Sequence, residues 1–265
     1  MFDYLIGYKF GIVWEDEDVT EEYTIVRSNA DIKKREVNLD TEFVKSIVGK
    51  NKGDVCVSKG NKFLIQYVVC PSFAKTCEER QIKHLYHFSA ISNIDSIMKH
   101  GILSIDLLKA NNIIYDSNDN ERLDKHNNCI SCSIEFPNGI LLNNFKKRLK
   151  KRYAIFKISI SALNYKYALC STLNAATYGG AYIVGIDNFF KLYEGERLSM
   201  PDSFPTNEQA EVLINGKIEP QYIEQIIFET EVDEKPFKGR YNTAIDSSFF
   251  EYRDKFLGYK FKFNK

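Results

Sequence analysis

Alternating apolar and polar residues predict several short β-strands in the N-terminal part of the chain. The pattern covers residues 8–14, 22–26, 54–57 and 63–69, which are rich in β-branched and aromatic side chains. Residues 39–49, between the second and third of these strands, have the spacing of a short helix. Asp40 or Thr41 is its expected N-cap, and Gly49 is its expected end. Together these elements predict a small α+β module.

Polar residues interrupt this pattern at residues 71–82. The stretch follows the last predicted strand, begins with Pro71 and consists mainly of residue types found in connectors. We therefore expect a domain boundary here. It would separate a small domain over residues 1–75 from a larger one over residues 82–265.

The larger part is predicted to contain short mixed strands and few helices. Strands are expected over residues 129–135, 154–160, 210–214 and 225–229. Residues 92–101 have the pattern of a compact helix, with Ser92 as its cap and Gly101 as its end. This mixture favours an α+β fold with a split sheet around a cleft over a doubly wound parallel sheet.

Composition and charge exclude several other classes of protein. The chain has 265 residues, 44% of them hydrophobic and 27% charged, which is typical of a globular protein with a sizeable core. The net charge is zero, so a polyanion would have to be bound by a local patch. We expect no membrane span, because the apolar runs are too short, and no signal peptide, because the N-terminus lacks a basic segment followed by an apolar one. The cysteines lie in apolar stretches, as reduced thiols do in cytosolic proteins. Together with the expected absence of a membrane span and a signal peptide, they predict a cytoplasmic location.

The cysteines also bear on metal binding. Cys129 and Cys132 form a C-x-x-C pair, but no second pair or histidine cluster completes a zinc site. We therefore interpret them as strand residues and expect no metal.

Two segments far apart in the sequence carry candidate chemistry. In the apolar strand Leu85-Tyr86-His87-Phe88-Ser89, the histidine and the serine are two positions apart and project to the same side. Glu211 is the lone carboxylate in the apolar strand over residues 210–214. Cleavage of the bond between nicotinamide and ribose in NAD develops positive charge on the sugar, which a carboxylate stabilises. An acid facing a His/Ser pair therefore fits sugar transfer from NAD.

Several motifs, in order along the chain, resemble the DarT family of nucleic-acid ADP-ribosyltransferases. They are Tyr-His-Phe-Ser-x3-Asn from residue 86, Glu-Arg-Leu-Asp from residue 121, Ile-Ser-Cys-Ser-Ile-Glu-Phe-Pro-Asn from residue 130, Asn-Ala-Ala-Thr from residue 174, and Pro-Thr-x2-Gln-Ala-Glu-Val-Leu-Ile from residue 205. The resemblance extends over residues 82–230. It implies the split β-sheet of NAD-dependent transferases and a base of single-stranded DNA as the acceptor.

The resemblance also implies roles for individual residues. Arg122 and Glu211 would be the catalytic pair, and the NAD-binding residues would be His87, Phe88 and Ser89. Glu211 can stabilise charge on the ribose or take a proton from the attacking base. The guanidinium of Arg122 can form two hydrogen bonds to the pyrophosphate of NAD, or it can position the substrate. His126, which lies nearby in the sequence, is an alternative candidate for this role.

Asn93 and Ser104 are further candidates for contacts with NAD. The chain has no Gly-rich dinucleotide fingerprint, so a Rossmann mode of NAD binding is not expected.

One strongly basic run is a candidate nucleic-acid site. Its cations are Lys146, Lys147, Arg148, Lys150, Lys151 and Arg152. They could follow a phosphate backbone while Phe145 or Tyr153 stacks on a base. The run also fits a solvated helix that buries Phe145, Leu149 and Tyr153, which are four residues apart, and both interpretations can hold together. Tyr178, Tyr182 and Tyr193 could likewise stack on bases or pack in the core.

The N-terminal module resembles the C-terminal domain of the Gre-type transcript-cleavage factors. The similarity lies in Tyr-Thr-Ile-Val from residue 23 and Ile-Val-Gly-Lys-Asn-Lys-Gly-Asp-Val from residue 47, followed by a final strand. It implies an FKBP-like fold and docking on RNA polymerase. We therefore expect an accessory or binding module, with a plain scaffold as the alternative.

The combined prediction is a toxin-like enzyme that transfers ADP-ribose from NAD+ to a base of single-stranded DNA and releases nicotinamide. The resemblance implies a macrodomain antitoxin that reverses the modification, in a toxin–antitoxin or phage-defence setting. Two alternatives stay open. The acceptor could be RNA or protein, or the fold could be inactive and only bind nucleic acid or RNA polymerase.

Overall fold

A computed structural model describes residues 5–48, 50, 52–117, 123–163, 168–197 and 200–258. Within these residues the strands form a five-stranded sheet, an eight-stranded sheet and a two-stranded ribbon. No helix in the described ranges is both long enough and apolar enough to cross a membrane.

The five-stranded sheet belongs to the N-terminal part of the chain. Its strands are β1 Lys9–Trp14, β2 Glu21–Val26, β3 Glu36–Asn38, β4 Val55–Ser58 and β5 Asn61–Val69, arranged in the order β3-β2-β1-β5-β4. Helix α1, Glu42–Ile47, is capped by Thr41, whose Oγ1 accepts a hydrogen bond from the Val44 amide at 3.3 Å. The four predicted strands and the helix with Thr41 as its cap are confirmed, whereas the predicted helix end, Gly49, lies outside the described residues. Strand β3 was not predicted, because three residues are too few to show a period.

Residues 71–80 form a helix, which corrects the expectation of a polar connector. Helix α2, Pro71–Arg80, begins with proline, whose missing N–H would have no helical partner at that position. It buries Phe73, Thr76 and Cys77, which lie at helical spacing, and the Phe73 ring packs edge-to-face on Phe189 at 4.8 Å. This helix therefore contributes to the core.

The two sheets share one hydrophobic core. Buried residues of both belong to a single cluster. The hydroxyl of Tyr8, just before β1, donates to the carbonyl oxygen of Ala168 at 3.2 Å. These contacts do not test where one domain ends and the next begins, so the division into domains at residues 1–75 and 82–265 stays a prediction.

The other strands follow α2. They are β6 His84–Ala90, β7 Ile102–Leu103, β8 Cys129–Ile134, β9 Tyr153–Ser159, β10 Ala168–Ser171, β11 Ile183–Gly185, β12 Glu211–Asn215, β13 Lys217–Ile218, β14 Ile223–Phe228 and β15 Thr243–Ile245. The eight-stranded sheet has the order β11-β10-β12-β8-β6-β9-β14-β15, and β13 pairs with β7 in the ribbon. All the strands predicted for this part are present. Strands β10, β11 and β15, which have three or four residues each, were not predicted.

The large sheet is split between its two central strands. β6 pairs with β9 from His84 to Ala90, but it pairs with β8 only at Leu85 and Tyr86. Beyond Tyr86, β6 has no ladder partner on the β8 side. The predicted split sheet is confirmed, and the gap opens at His87.

The remaining helices are short. They are α3 Ile94–His100, α4 Ile105–Ala110, α5 Gly139–Leu149, α6 Glu231–Glu234 and α7 Arg253–Phe256. Ser92 does not cap α3, in contrast to the prediction. It lies in the preceding 3-10 turn, and its hydroxyl donates to Asp116 at 2.9 Å. Gly101 does end α3, at φ 87°, where an added Cβ would lie 2.3 Å from the Ile218 carbonyl oxygen.

The basic run is not one continuous helix. Helix α5 stops before Lys150, which adopts the left-handed conformation at φ 52°, and Tyr153 begins β9. The prediction of a helix with Tyr153 on its buried face is therefore wrong. Phe145 and Tyr153 still share an apolar cluster, with Leu149 packed against it.

Candidate functional site

Glu211, the first residue of β12, lies at the centre of the candidate site. Its neighbours across the antiparallel ladders are Ser171 of β10 and Ser133 of β8. Directly opposed residues project from the same face of a sheet, so the carboxylate has a serine on either side. Glu211 is only 4% exposed, and a carboxylate at that depth requires hydrogen-bond donors.

Asn174 supplies one such donor. Its Nδ2 donates to Glu211 Oε1 at 3.0 Å, and its Oδ1 accepts from the Ala176 amide at 2.9 Å. The second bond fixes the asparagine side chain and thereby the direction of the first. Asn174 was noticed only as part of a motif and was not predicted as a site residue. The two residues are 37 positions apart, so nothing in the local pattern indicates their contact.

His87 bridges the gap in the split sheet. Its Nδ1 lies 3.0 Å from the carbonyl oxygen of Ser131 in β8. A carbonyl oxygen can only accept, so Nδ1 carries the hydrogen. In the neutral ring this leaves Nε2 as an acceptor, suited to a sugar hydroxyl.

Two cavities meet at His87 and Ser131, which line both. The first, which we call the acid cavity, has a volume of about 180 Å³ and is lined by Phe88, Ser133, Asn138, Asn174 and Glu211, among others. The second, which we call the polar cavity after Ser89, Asn93 and Asp116 in its wall, is equally large, and its wall also contains apolar residues such as Ile97 and Leu108. The structure thus places His87, Phe88 and Glu211 in the wall of one cavity and Ser89 in the wall of its neighbour.

Asn93 stabilises the polar cavity from within the protein. Its Nδ2 donates to Ser89 Oγ at 2.9 Å and to the Asp116 carbonyl oxygen at 3.0 Å. Its Oδ1 accepts from the Asp116 amide at 2.8 Å. These bonds engage both ends of the amide, so Asn93 fixes the positions of Ser89 and Asp116.

Ser104 is not brought into the site. It lies in the wall of neither the acid nor the polar cavity. It is buried as the N-cap of α4, where its hydroxyl oxygen accepts from the Leu107 amide at 3.4 Å. We therefore interpret Ser104 as a residue that stabilises the start of helix α4.

Arg122 lies outside the described residues, so its predicted role stays a prediction. The residues that follow it, Leu123 and Asp124, line the acid cavity. Asp124 is buried, and its Oδ1 accepts from the His126 amide at 3.2 Å. His126 itself lines a different cavity, together with Arg27 and Asp187.

An ion pair fastens the segment of residues 115–117 to the wall of the polar cavity. Asp116 pairs with Lys151, whose Nζ also donates to the Ser117 carbonyl oxygen at 2.9 Å. The hydrogen bond from Lys151 lowers the pKa of Asp116. Lys151 is therefore engaged within the protein.

Other cations of the basic run are also paired with carboxylates. Lys146 pairs with Glu229 at 2.7 Å and Arg152 with Asp233 at 2.8 Å. Exposed positions in the run include Lys147, Arg148 and Lys150, and the Arg148 guanidinium lies over the Phe145 ring at 5.1 Å. The charge offered to DNA is therefore smaller than the sequence implies.

The cysteine pair belongs to a strand, as interpreted from the sequence. Cys129 and Cys132 are buried in β8, and burial strongly raises the pKa of the Cys132 thiol. Within the described part of the chain, no group of three or more His, Cys, Asp or Glu side chains is arranged to hold a metal.

A split sheet with a histidine at the gap and a buried glutamate in the same cavity is the arrangement of an NAD-dependent ADP-ribosyltransferase. The model of a family described as ssDNA thymidine ADP-ribosyltransferase, DarT, matches residues 86–251, well over half of the chain. The chain belongs to the DarT family. The predictions of this family and of its fold class are confirmed. The likeness of the N-terminal part to Gre-type factors is not confirmed.

Solved structures of DarT proteins are distant from this chain. Thermosipho africanus DarTG in complex with ADP-ribose is 18% identical, with a TM-score of 0.44, and the match covers 63% of this chain and 51% of that one. Thermus sp. 2.9 DarT in complex with carba-NAD+ is 11% identical, with a TM-score of 0.44 and coverages of 63% and 97%. The same Thermus protein in complex with ADP-ribosylated ssDNA is 10% identical, with a TM-score of 0.42 and coverages of 64% and 97%.

The match spans only about half the length of the Thermosipho chain. No curated protein matches the sequence.

Proposed function

We propose that this protein transfers ADP-ribose from NAD+ to thymine bases of single-stranded DNA and releases nicotinamide. The observation that carries the proposal is the buried carboxylate of Glu211 in a cavity that also contains His87. The description of the family supports thymidine as the acceptor.

The chemistry assigns a task to Glu211. The bond between the nicotinamide nitrogen and the ribose carbon breaks, and positive charge develops on the sugar beside the carboxylate. The only N–H of thymine in DNA is at N3, so this nitrogen forms the new bond to the ribose and loses its proton to Glu211. Nicotinamide leaves as a neutral molecule, and atoms and charge balance.

The neighbours of Glu211 orient the reactants. Asn174 holds the carboxylate through the hydrogen bond to Oε1. The acceptor Nε2 of His87 faces a hydroxyl of NAD+ where the two cavities meet, with Ser89 beyond it. Arg122 is assigned to the pyrophosphate or to the developing charge on the basis of the motif resemblance.

The DNA strand is proposed to pass over the rim of the acid cavity. Tyr178 is 82% exposed, and its ring centroid lies 6.1 Å from that of Tyr182. Both follow closely on Ala176, which lines the acid cavity, so they are placed to stack on bases that flank the modified thymine. The exposed cations Lys147, Arg148 and Lys150 would contact phosphates.

The biological setting is proposed from the motif resemblance. It includes a macrodomain antitoxin that removes the modification, a toxin–antitoxin or phage-defence role, and a cytoplasmic location. All six cysteines are buried thiols, which supports a reducing compartment.

Docking on RNA polymerase through the N-terminal part is also a proposal. Strand β4 is at the edge of its sheet, and Val55 and Val57 on it are 62% and 53% exposed. An exposed apolar edge strand can pair with another protein. The double variant Val55→Lys/Val57→Lys should lose co-purification with the polymerase while NAD+-dependent transfer persists. Unchanged co-purification would reject docking by this edge.

The transfer activity is tested with labelled NAD+ and single-stranded oligonucleotides. Label should join oligonucleotides that contain thymidine and should not join those without it. Glu211→Gln should lower transfer by roughly 10²–10⁴-fold, because it removes the proton acceptor and the charge. The matched control is Glu79→Gln, an exposed position on α2, which should leave transfer unchanged.

Other outcomes separate the alternatives. Label on RNA or on a protein, but not on DNA, would identify a different acceptor. Binding of nucleic acid without any label transfer would indicate an inactive fold. Full transfer activity of Glu211→Gln would contradict the role proposed for the carboxylate.

A further inference from the structure

A buried amide in the wall of the acid cavity has a donor without a partner. Asn138 follows β8 and is 1% exposed. Its Oδ1 accepts from the Leu141 amide at 3.0 Å and so caps α5, and its backbone amide donates to Ser133 Oγ at 3.0 Å. Its Nδ2 is buried and has no hydrogen-bond partner among the residues that the structure describes. Asn138 lines the same cavity as Glu211.

The helix cap does not explain why this residue is an asparagine. Aspartate and serine cap helices about as well, because the cap uses only a side-chain oxygen. The amide nitrogen contributes nothing to it, and leaving a buried donor unpaired destabilises the folded protein. An acceptor supplied by a ligand in the cavity would offset that destabilisation.

The surroundings of Asn138 indicate which acceptor fits. Phe88, Leu141 and Phe145 give the acid cavity apolar and aromatic walls. Glu211 is a carboxylate in the same cavity. Flat rings pack well against such walls, and a carbonyl oxygen on the ring would accept from Nδ2.

We propose that Nδ2 of Asn138 binds the exocyclic carbonyl oxygen of a heteroaromatic ring held in the acid cavity. This inference rests on the proposed function, which supplies two such rings, the nicotinamide of NAD+ and the thymine of the acceptor. Asn138 is then a specificity-determining residue. It selects a ring with an acceptor at that point over a ring with a donor there, such as one carrying an amino group.

Two variants test the donor without removing the helix cap. Asn138→Asp and Asn138→Ser both keep an oxygen for the Leu141 amide and lack the side-chain N–H groups. Asn138→Asp adds a charge near Glu211 and Asn138→Ser does not, so an effect shared by both comes from the lost donor. Asn144→Asp and Asn144→Ser are matched controls, since Asn144 is an exposed residue of the same helix.

Binding of three ligands identifies the ring. NAD+, ADP-ribose, and a thymidine oligonucleotide in the presence of ADP-ribose are titrated calorimetrically into the full-length chain and its variants. If the ring is nicotinamide, both Asn138 variants should bind NAD+ about tenfold more weakly and ADP-ribose equally well. If the ring is thymine, only the oligonucleotide should bind more weakly.

Two results would overturn the proposal. One is wild-type affinity of both variants for all three ligands. The other is an equal loss for ADP-ribose, which lacks both rings and would report only a structural defect. Label transfer by the wild-type protein is measured separately. If it is absent while the variants still lose NAD+ or oligonucleotide binding, the proposed function fails and the role of Asn138 stands.

Discussion

At the scale of the residue, the site depends on how a buried carboxylate is supported. Glu211 is almost fully buried, and Asn174 donates to it from a turn that the Ala176 amide stabilises. Such a donor orients the carboxylate toward the cavity. The role proposed for Glu211 therefore depends on Asn174, which has no proposed part in the reaction itself.

Asn174 provides a prediction at this scale. Asn174→Ala should lower kcat for transfer roughly tenfold or more, because Glu211 loses a hydrogen bond that fixes its direction. The KM for NAD+ should change little, since Asn174 acts through the carboxylate. Steady-state kinetics of the variant would test this. A rise in KM at unchanged kcat would instead assign Asn174 to substrate binding.

At the level of single elements, strand β2 of the N-terminal sheet is stabilised by a polar network. Glu21 of β2 accepts from the Tyr23 hydroxyl at 2.7 Å and from Trp14 Nε1 at 3.0 Å, and it pairs with Arg35 at 2.9 Å. Hydrogen bonds from Tyr23 and Trp14 lower the pKa of Glu21 below its ordinary value of 4.5. The ionised form is therefore the one that the fold stabilises.

This shift predicts how stability depends on pH. Since the pKa of Glu21 is lower in the folded state, its contribution is fully present above pH 4.5 and is lost as the pH falls through the lowered pKa. Glu21→Gln should cost roughly 1–3 kcal/mol at pH 7 and should flatten the decline of unfolding free energy between pH 5 and pH 3. Urea unfolding over this range measures both effects.

Glu15→Gln is the control for this experiment. Glu15 forms an exposed ion pair with Lys62 at 3.0 Å, and such pairs contribute little. Its pH profile should match that of the wild-type protein. If the unfolding free energy of Glu21→Gln declined as steeply with falling pH as that of the wild-type protein, the stabilising role assigned to the ionised Glu21 would be wrong.

At the scale of the whole molecule, distant parts of the chain support the site. Tyr8 connects the N-terminal sheet to β10, which borders the strand of Glu211. Arg253 of α7 is buried, and its guanidinium donates to the carbonyl oxygens of Pro205 at 2.6 Å and Thr206 at 3.0 Å. The segment that leads into Glu211 is thereby tied to a helix beyond the family match.

Arg253 provides the prediction at this scale. Arg253→Lys retains the charge but cannot form both bonds of the planar fork, so the segment before Glu211 should loosen. We expect lower transfer activity and a loss of about 1–3 kcal/mol in unfolding free energy. Thermal unfolding and label transfer would be measured together. Lys255→Met, at an exposed neighbouring position, should change neither.

Much of the fold could be predicted because it depends on local periodicity. The alternation in β8 follows from the two-residue repeat of a strand, and β12 is recognised as a short apolar run. Helix α2 was missed although Phe73, Thr76 and Cys77 have helical spacing, because the other residues are polar. Strands β10, β11 and β15 are too short to show a period, and their existence depends on the neighbours that they pair with.

The sequence by itself determined that Glu211 lies in an apolar strand and that His87 and Ser89 share a side of another, since both depend only on backbone geometry. The contacts of these residues became known only from the tertiary structure. It paired Asn174 with Glu211 and paired Lys146, Lys151 and Arg152 with carboxylates. Within the described part of the chain, it left Nδ2 of Asn138 without a partner in the cavity wall. These partners come from distant parts of the chain, and only packing of the complete sheet brings them together.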